Sequence, residues 1–203
     1  NGRGNKGREM GLAILVAGLA IFIASHVFVA QRALRGDVIK AVGETSYKLI
    51  FSVVSAIGIG LIVWGFSSYR AAGYIAIWSP PLWTRHLALA LMWPATILVT
   101  AAYIPGEIKR RLGHPMLAGI KLWAVAHLLA NGDLGSMALF AGILGWAVYD
   151  RASLRYRSDS GGPPIPVGGW RNDVMAIIVG TLVYLALTFV FHPLVIGVPA
   201  FSR

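Results

Sequence analysis

Six apolar runs, each close to the length that crosses a bilayer, follow one another along the 203-residue chain: Met10 to Ala30, Tyr47 to Phe66, His86 to Ile104, Met116 to Ala130, Leu134 to Tyr149 and Val174 to Phe191. A hydrocarbon layer about 30 Å thick takes about 20 helical residues to cross. In lipid every backbone N–H and C=O must find its partner within the chain, so a spanning segment is a helix or part of a closed barrel. The runs are continuous rather than alternating, which sets the barrel aside. The fold class expected is therefore all-α: a polytopic membrane helical bundle of about six transmembrane helices. Composition agrees, with 57% hydrophobic and 13% charged residues, about half the charge of a soluble domain. That balance excludes a soluble enzyme with a large water-facing cleft. The chain has no cysteine, which removes disulfides, thiolate metal sites and thiol nucleophiles together; metal chemistry is left to His, carboxylate, Met or Tyr.

The first nine residues, "NGRGNKGRE", are polar and basic, and Met10 follows as a natural start. They read as a remnant of the expression vector, with residues 10–203 forming a single transmembrane domain. The first apolar run meets the basic "QRALRGD" without a small-residue cleavage site, so it reads as a retained anchor. The three-residue "NGD" at Asn131 to Asp133 is turn chemistry suited to a tight helical hairpin. In the first loop, Arg32, Arg35, Asp37, Lys40 and Glu44 can form the wet face of an interfacial helix. Leu34, Val38, Ile39 and Val42 would touch lipid on the other face. The long "RASLRYRSDSGGPPIPVGGWRND" connection, rich in Gly and Pro, reads as a flexible or extended tether.

Cations set the orientation. Arg32, Arg35, Lys40 and Lys48, then Lys109, Arg110, Arg111 and Lys121, then Arg151, Arg155, Arg157 and Arg171 all fall to one side. Only Arg70, Arg85 and Arg203 face them outside the first nine residues. The positive-inside rule puts the odd loops in the cytoplasm and both termini outside. The net charge of +10 then expresses topology and attraction to anionic lipid, so the bilayer is the first partner. A nucleic-acid partner would need a basic, aromatic-interleaved soluble face, which is absent.

Against this apolar background stand the histidines. The stretch "LGHPMLAGIKLWAVAHLLANG" holds His114 and His127, and "IASHVFVAQR" holds His26. An ionisable residue in a span is costly in lipid and ordinarily faces the bundle interior. Pro115 suits a first helical position, which makes His114 an N-cap neighbour. Lys121, snorkelling toward the interface, draws the boundary close to residue 118 and sets His127 deeper, near mid-membrane. Gly119, Trp123 and His127 are spaced i, i+4, i+8 and so stack on one face that can accept a planar ligand. With modest tilt His26 and His127 could share a plane, and two neutral imidazoles in apolar surroundings are the ligand set of a six-coordinate haem. An interhelical hydrogen bond is the plain alternative. His86 and His192 fall at outer helix ends, where an interface histidine is unremarkable. No HxxxH or HExxH spacing suggests zinc.

These residues carry a family resemblance. His26, "VGETSYKLIFS" at Val42 to Ser52, "LWTRHLALALM" at Leu82 to Met92, the "GHPMLAGIKLWAVAHLLANGD" block and "GWAVYDR" at Gly145 to Arg151 occur in order. Together they resemble the NnrU family of bacterial membrane proteins over Met10 to Tyr156. Its members are associated with nitrite and nitric oxide reduction, and the family is similar to the 15-cis-zeta-carotene isomerases, which carry haem b. The resemblance implies an inner-membrane haem b protein that serves denitrification proteins, with His26 and His127 as iron ligands and His114, Gly119 and Trp123 around the cofactor. The isomerases have a cysteine where this chain has Ala124, so thiolate ligation cannot occur here. The HPM step also resembles the S-adenosylmethionine site of isoprenylcysteine carboxyl methyltransferases. That makes methyl transfer, with S-adenosylmethionine near His114, the alternative; the displaced arginine of "RRLGHPML" and the missing paired glutamates weigh against it.

The charge pattern gives a direct test. A reporter fused after Arg155 is expected to behave as cytoplasmic and one after Phe201 as periplasmic. The reverse pair of outcomes would invert the topology.

Overall fold

A computed structural model of the chain describes residues 2–157 and 166–200. All six apolar runs are helical, in the order α1 (Gly2–Ala30), α2 (Arg32–Val42), α3 (Glu44–Ala71), α4 (Leu82–Tyr103), α5 (Glu107–Leu112), α6 (Pro115–Ala130), α7 (Leu134–Ser153) and α8 (Trp170–Ala186). A 3₁₀ turn, Leu154–Tyr156, follows α7, and α8 passes without a break into a π-helix, Leu187–Ile196. Among the described residues there is no β-strand, only one bridge between Ala76 and Asp133. The all-α membrane reading therefore holds. Among the described residues four helices are long and apolar enough to cross a bilayer: α1, α3, α4, and α8 with its π continuation. The other two apolar runs are α6, with 16 residues and so about 24 Å long, and α7, with 20. The centre of the long polar connection, residues 158–165, lies outside the described residues.

The chain divides into two compact units. The first comprises residues 1–79 and 131–158 and holds α1, α2, α3 and α7. Its axis is the antiparallel pair α1–α3, brought together at glycines. A Cβ on Gly11 would stand 2.4 Å from the Tyr69 backbone nitrogen, and one on Gly65 would stand 2.3 Å from that of Leu15. Gly18 and Gly58 meet the opposite helix in the same way. Gly11 and Gly18, like Gly58 and Gly65, are seven residues apart and recur on one face of their helix. Helix α7 joins the pair through Gly135, which lies against the Tyr69 ring, and Gly142, which lies against Leu19.

Asp133 fixes the start of α7. Its buried carboxylate accepts the Ser136 backbone N–H at 3.0 Å and the Ser136 hydroxyl at 2.6 Å, and it pairs with Arg70 at 3.1 Å. The Gly132 carbonyl takes the N–H groups of Ile77 and Trp78, at 2.8 and 3.1 Å. The "NGD" connection thus serves the first unit, and the two helices it joins, α6 and α7, belong to different units.

Helix α2 forms where the sequence predicts an amphipathic helix, with one revision. Leu34, Val38 and Val42 stay exposed, as an apolar lipid-facing edge would. Gly43, with φ +83°, breaks the chain before Glu44, which opens α3 instead of closing α2. Arg35 turns from the expected wet face and sets its guanidinium over the Tyr47 ring, 5.5 Å from its centroid.

The second unit, residues 80–130 and 159–203, holds α4, α5, α6 and α8. Helix α4 packs against both α6 and α8. Gly119 of α6 lies against Ala95, and Gly180 of α8 lies against Ile97; a Cβ would meet the Ala95 carbonyl at 2.7 Å and the Ile97 Cα at 2.6 Å. Asp173, in the first turn of α8, receives the Glu107 and Ile108 N–H groups at 3.0 and 3.1 Å, so a carboxylate from α8 caps α5.

The glycine contacts predict a sharp contrast between two alanine substitutions. Gly65→Ala forces α1 and α3 apart and is expected to cost about 1–3 kcal/mol by overpacking. Gly60→Ala, on the same helix but with nothing within 4 Å of the new methyl, is expected to leave stability unchanged or slightly raised. Thermal unfolding of both variants in one detergent checks this; equal midpoints would remove the glycine contact as the organiser of the first unit.

Candidate functional site

Each membrane histidine must satisfy its ring nitrogens where water is scarce, and two of them do so identically. His26 lies near the C-terminal end of α1, with Nδ1 2.8 Å from the Phe22 carbonyl one turn earlier. His127 lies in the last turn of α6, with Nδ1 2.8 Å from the Trp123 carbonyl, again one turn earlier. A carbonyl accepts only from a protonated nitrogen, so Nδ1 carries the hydrogen in both rings. In the neutral imidazole the lone pair is then on Nε2. Holding the ring in one tautomer by its other nitrogen is how proteins orient histidine for a metal. In both cases the residue that supplies the carbonyl is aromatic and packs on the imidazole, Phe22 at 4.1 Å and Trp123 at 4.9 Å between centroids.

Around His26 the first unit supplies a largely apolar wall. Phe51 and Trp146 approach the ring edge-on, each at 5.2 Å. The Ser25 hydroxyl spends its hydrogen on the Phe22 carbonyl at 2.7 Å and lies 3.2 Å from Nδ1. Two buried polar atoms in the same unit, Trp146 Nε1 and the Tyr47 hydroxyl, find no partner among the described residues. Trp146 is a site residue the sequence reading passed over, although it stands inside the "GWAVYDR" motif.

In the second unit His127 has a neighbour that the sequence did not single out. The His192 ring lies 6.2 Å from it, centroid to centroid, with the planes 34° apart. His192 sits in the π-helix, immediately before Pro193. It lies near the end of its helix, as the sequence suggests, beside the last turn of α6 that carries His127. The proline was the available signal for the π turn, since its ring cannot enter a regular helix without displacing the carbonyl four residues earlier.

The Gly119–Trp123–His127 stripe divides by role. Gly119 is closed off by Ala95 and Val99 of α4. Trp123 lines a cavity of about 420 Å³ among α4, α6 and α8 that no polar protein atom faces. Thr96 and Thr100 also line it. Their hydroxyls donate back to the Trp93 and Thr96 carbonyls, both at 2.8 Å, and so leave carbon toward the cavity. His114 stands at the far end of α6. Its carbonyl accepts the Ala118 N–H at 3.3 Å and its own N–H donates to Leu112 at 2.8 Å, which makes it the residue that opens the helix. The structure thus brings Trp123 and His127 together with His192, keeps His114 at the opposite end of that helix, and carries His26 in the other unit. His86 is exposed on α4. Among the described residues no three His, Asp or Glu side chains gather as a bare metal ion would require.

The model of one protein family, described as NnrU protein, matches residues 14–200. No curated protein matches the chain, and no solved structure does.

Proposed function

Since the chain belongs to the NnrU family, we propose that it is an integral membrane haem b protein of the bacterial inner membrane that supports nitrite and nitric oxide reduction. The observation that carries this reading is the repeated histidine presentation, Nδ1 tied to a carbonyl one turn back and an aromatic ring packed on the imidazole, at His26 and at His127. Haem asks little else of a protein. Its macrocycle supplies four of the iron's ligands, so one or two imidazoles suffice. A bare transition metal would need the larger ligand cluster that the described residues do not form.

The donor set fits the group. Both imidazoles are orientated as iron ligands are, and the macrocycle requires apolar surroundings such as the carbon-lined cavity that reaches Trp123. His26 with His127 is the ligand pair that the resemblance implies. Iron held between two imidazoles would supply one-electron transfer. The chain's own part is to bind and orient the cofactor and keep water from it. The cations of the odd loops support a cytoplasmic position for those loops. Denitrification proteins are the partner class that family membership brings. The alternative, S-adenosylmethionine held near His114, rests on the HPM block alone.

An absorption spectrum of the purified protein tests the cofactor. A Soret band and sharp reduced bands of six-coordinate haem b are expected, and His26→Ala and His127→Ala are each expected to abolish or shift them. A folded protein that stays colourless after haem supplementation would refute the reading.

His114 provides the contrast. It opens α6 at the end away from His127, so His114→Ala is expected to keep the haem bands and to cost about 1 kcal/mol, the scale of a lost cap. Titration with S-adenosylmethionine completes that experiment: binding by the wild type that disappears in His114→Ala would favour the methyltransferase.

A further inference from the structure

In the first unit, around the link that α2 makes between α1 and α3, three side-chain atoms that can donate hydrogen bonds are buried with no acceptor among the described residues: the Tyr47 hydroxyl, Arg35 Nε and Trp146 Nε1. We infer that this cluster holds the carboxylates of the haem, with Arg35 and Tyr47 as its principal pair. The inference rests on the haem reading and keeps His26 as a ligand of the iron.

The chemistry of the missing partner follows from the donors. An indole N–H and a guanidinium can donate but not accept. Buried donors without acceptors are rare and costly, so the group they lack is an acceptor, and beside a guanidinium an anionic one. The acidic side chains nearby in the chain are already matched: Asp37 pairs with Lys40 at 3.6 Å, Glu44 with Lys48 at 2.7 Å, and Asp150 with Arg157. Tyr47 itself is only 7% exposed, so bulk water does not serve its hydroxyl.

Helix α2 turns cations inward. Leu34, Val38 and Val42 form its exposed edge, whereas Arg32, Arg35 and Ile39, spaced i, i+3, i+7, are partly buried on another face. Arg35 lies over the Tyr47 ring, 5.5 Å from its centroid. A guanidinium that stacks uses its flat face and keeps its N–H groups, which lie in the plane, for a carboxylate or phosphate.

Contact with His26 selects the anion. Phe51 stacks on Tyr47, 6.5 Å between centroids, and meets the His26 ring at 5.2 Å; Trp146 meets the same ring at 5.2 Å. The donors therefore flank the proposed iron ligand within one compact unit. Haem b is an amphiphile, with two carboxylates on one edge of an apolar macrocycle, and suits a site that is aromatic at the imidazole and cationic beyond it. The cationic part also has the right depth, since α2 links two helices of membrane-spanning length and so lies where hydrocarbon gives way to water.

The test couples the carboxylates to the residues in a double-mutant cycle. The full chain, produced without bound haem, is titrated with haem and with haem dimethyl ester, whose carboxylates are blocked, and binding is read from the Soret band. Wild type is expected to prefer haem by about tenfold or more, the scale of one or two charge-assisted hydrogen bonds. Arg35→Gln is expected to lose most of that preference and Tyr47→Phe part of it, while both bind the ester as wild type does, which a misfolded protein could not do. Lys40→Gln removes the same charge from the exposed side of α2 and is expected to keep the full preference. A preference that survives intact in Arg35→Gln would overturn the inference and leave the haem reading standing. So would release of co-purified phospholipid by Arg35→Gln, seen by native mass spectrometry, with the preference unchanged; the site would then belong to a lipid phosphate. A wild type that binds neither compound would overturn both readings.

Discussion

The structure depends on helix backbones brought into contact at glycine. Inside a bilayer, lipid tails are as apolar as leucine, so burial of apolar surface does not drive one helix against another; close packing and local hydrogen bonding must do so. Gly11, Gly18, Gly58 and Gly65 let α1 and α3 approach until no methyl fits between them, and Gly119 and Gly180 do the same for α6 and α8 on α4. Each unit therefore has a small-residue seam at its centre, while large apolar side chains such as Leu49, Val63, Trp64, Leu182 and Phe189 remain on the outside. In water that distribution would be unstable. In lipid it is the expected one.

The same solvent explains how the polar side chains behave. With no water to bond, hydroxyls and imidazoles turn back on carbonyls of their own helix: Ser25 to Phe22, Thr96 to Trp93, Thr100 to Thr96, Ser153 to Asp150. His26 and His127 obey this rule, and for them it has a chemical consequence. Satisfying Nδ1 internally fixes the tautomer and leaves the Nε2 lone pair at the outer end of the ring. One hydrogen bond meets the local need of a membrane helix, and the same bond would hold the ring steady if the histidine bound a metal.

Much of this was legible in the sequence. Six apolar runs became helices, and the first loop became the amphipathic α2, because hydrophobic pattern alone decides such elements in lipid. Gly119, Trp123 and His127 fell on one helical face because a 3.6-residue period fixes it. What escaped the reading needed three dimensions. The heptad spacing of Gly11 and Gly18 was visible, yet nothing along the chain says that Tyr69 and Ile62 are what they meet. Arg35 looked like a wet-face cation and instead covers Tyr47, since a long aliphatic stem allows either course. His192 lies near the end of its helix as read, but that its ring would meet His127 is a contact that no spacing along the chain gives.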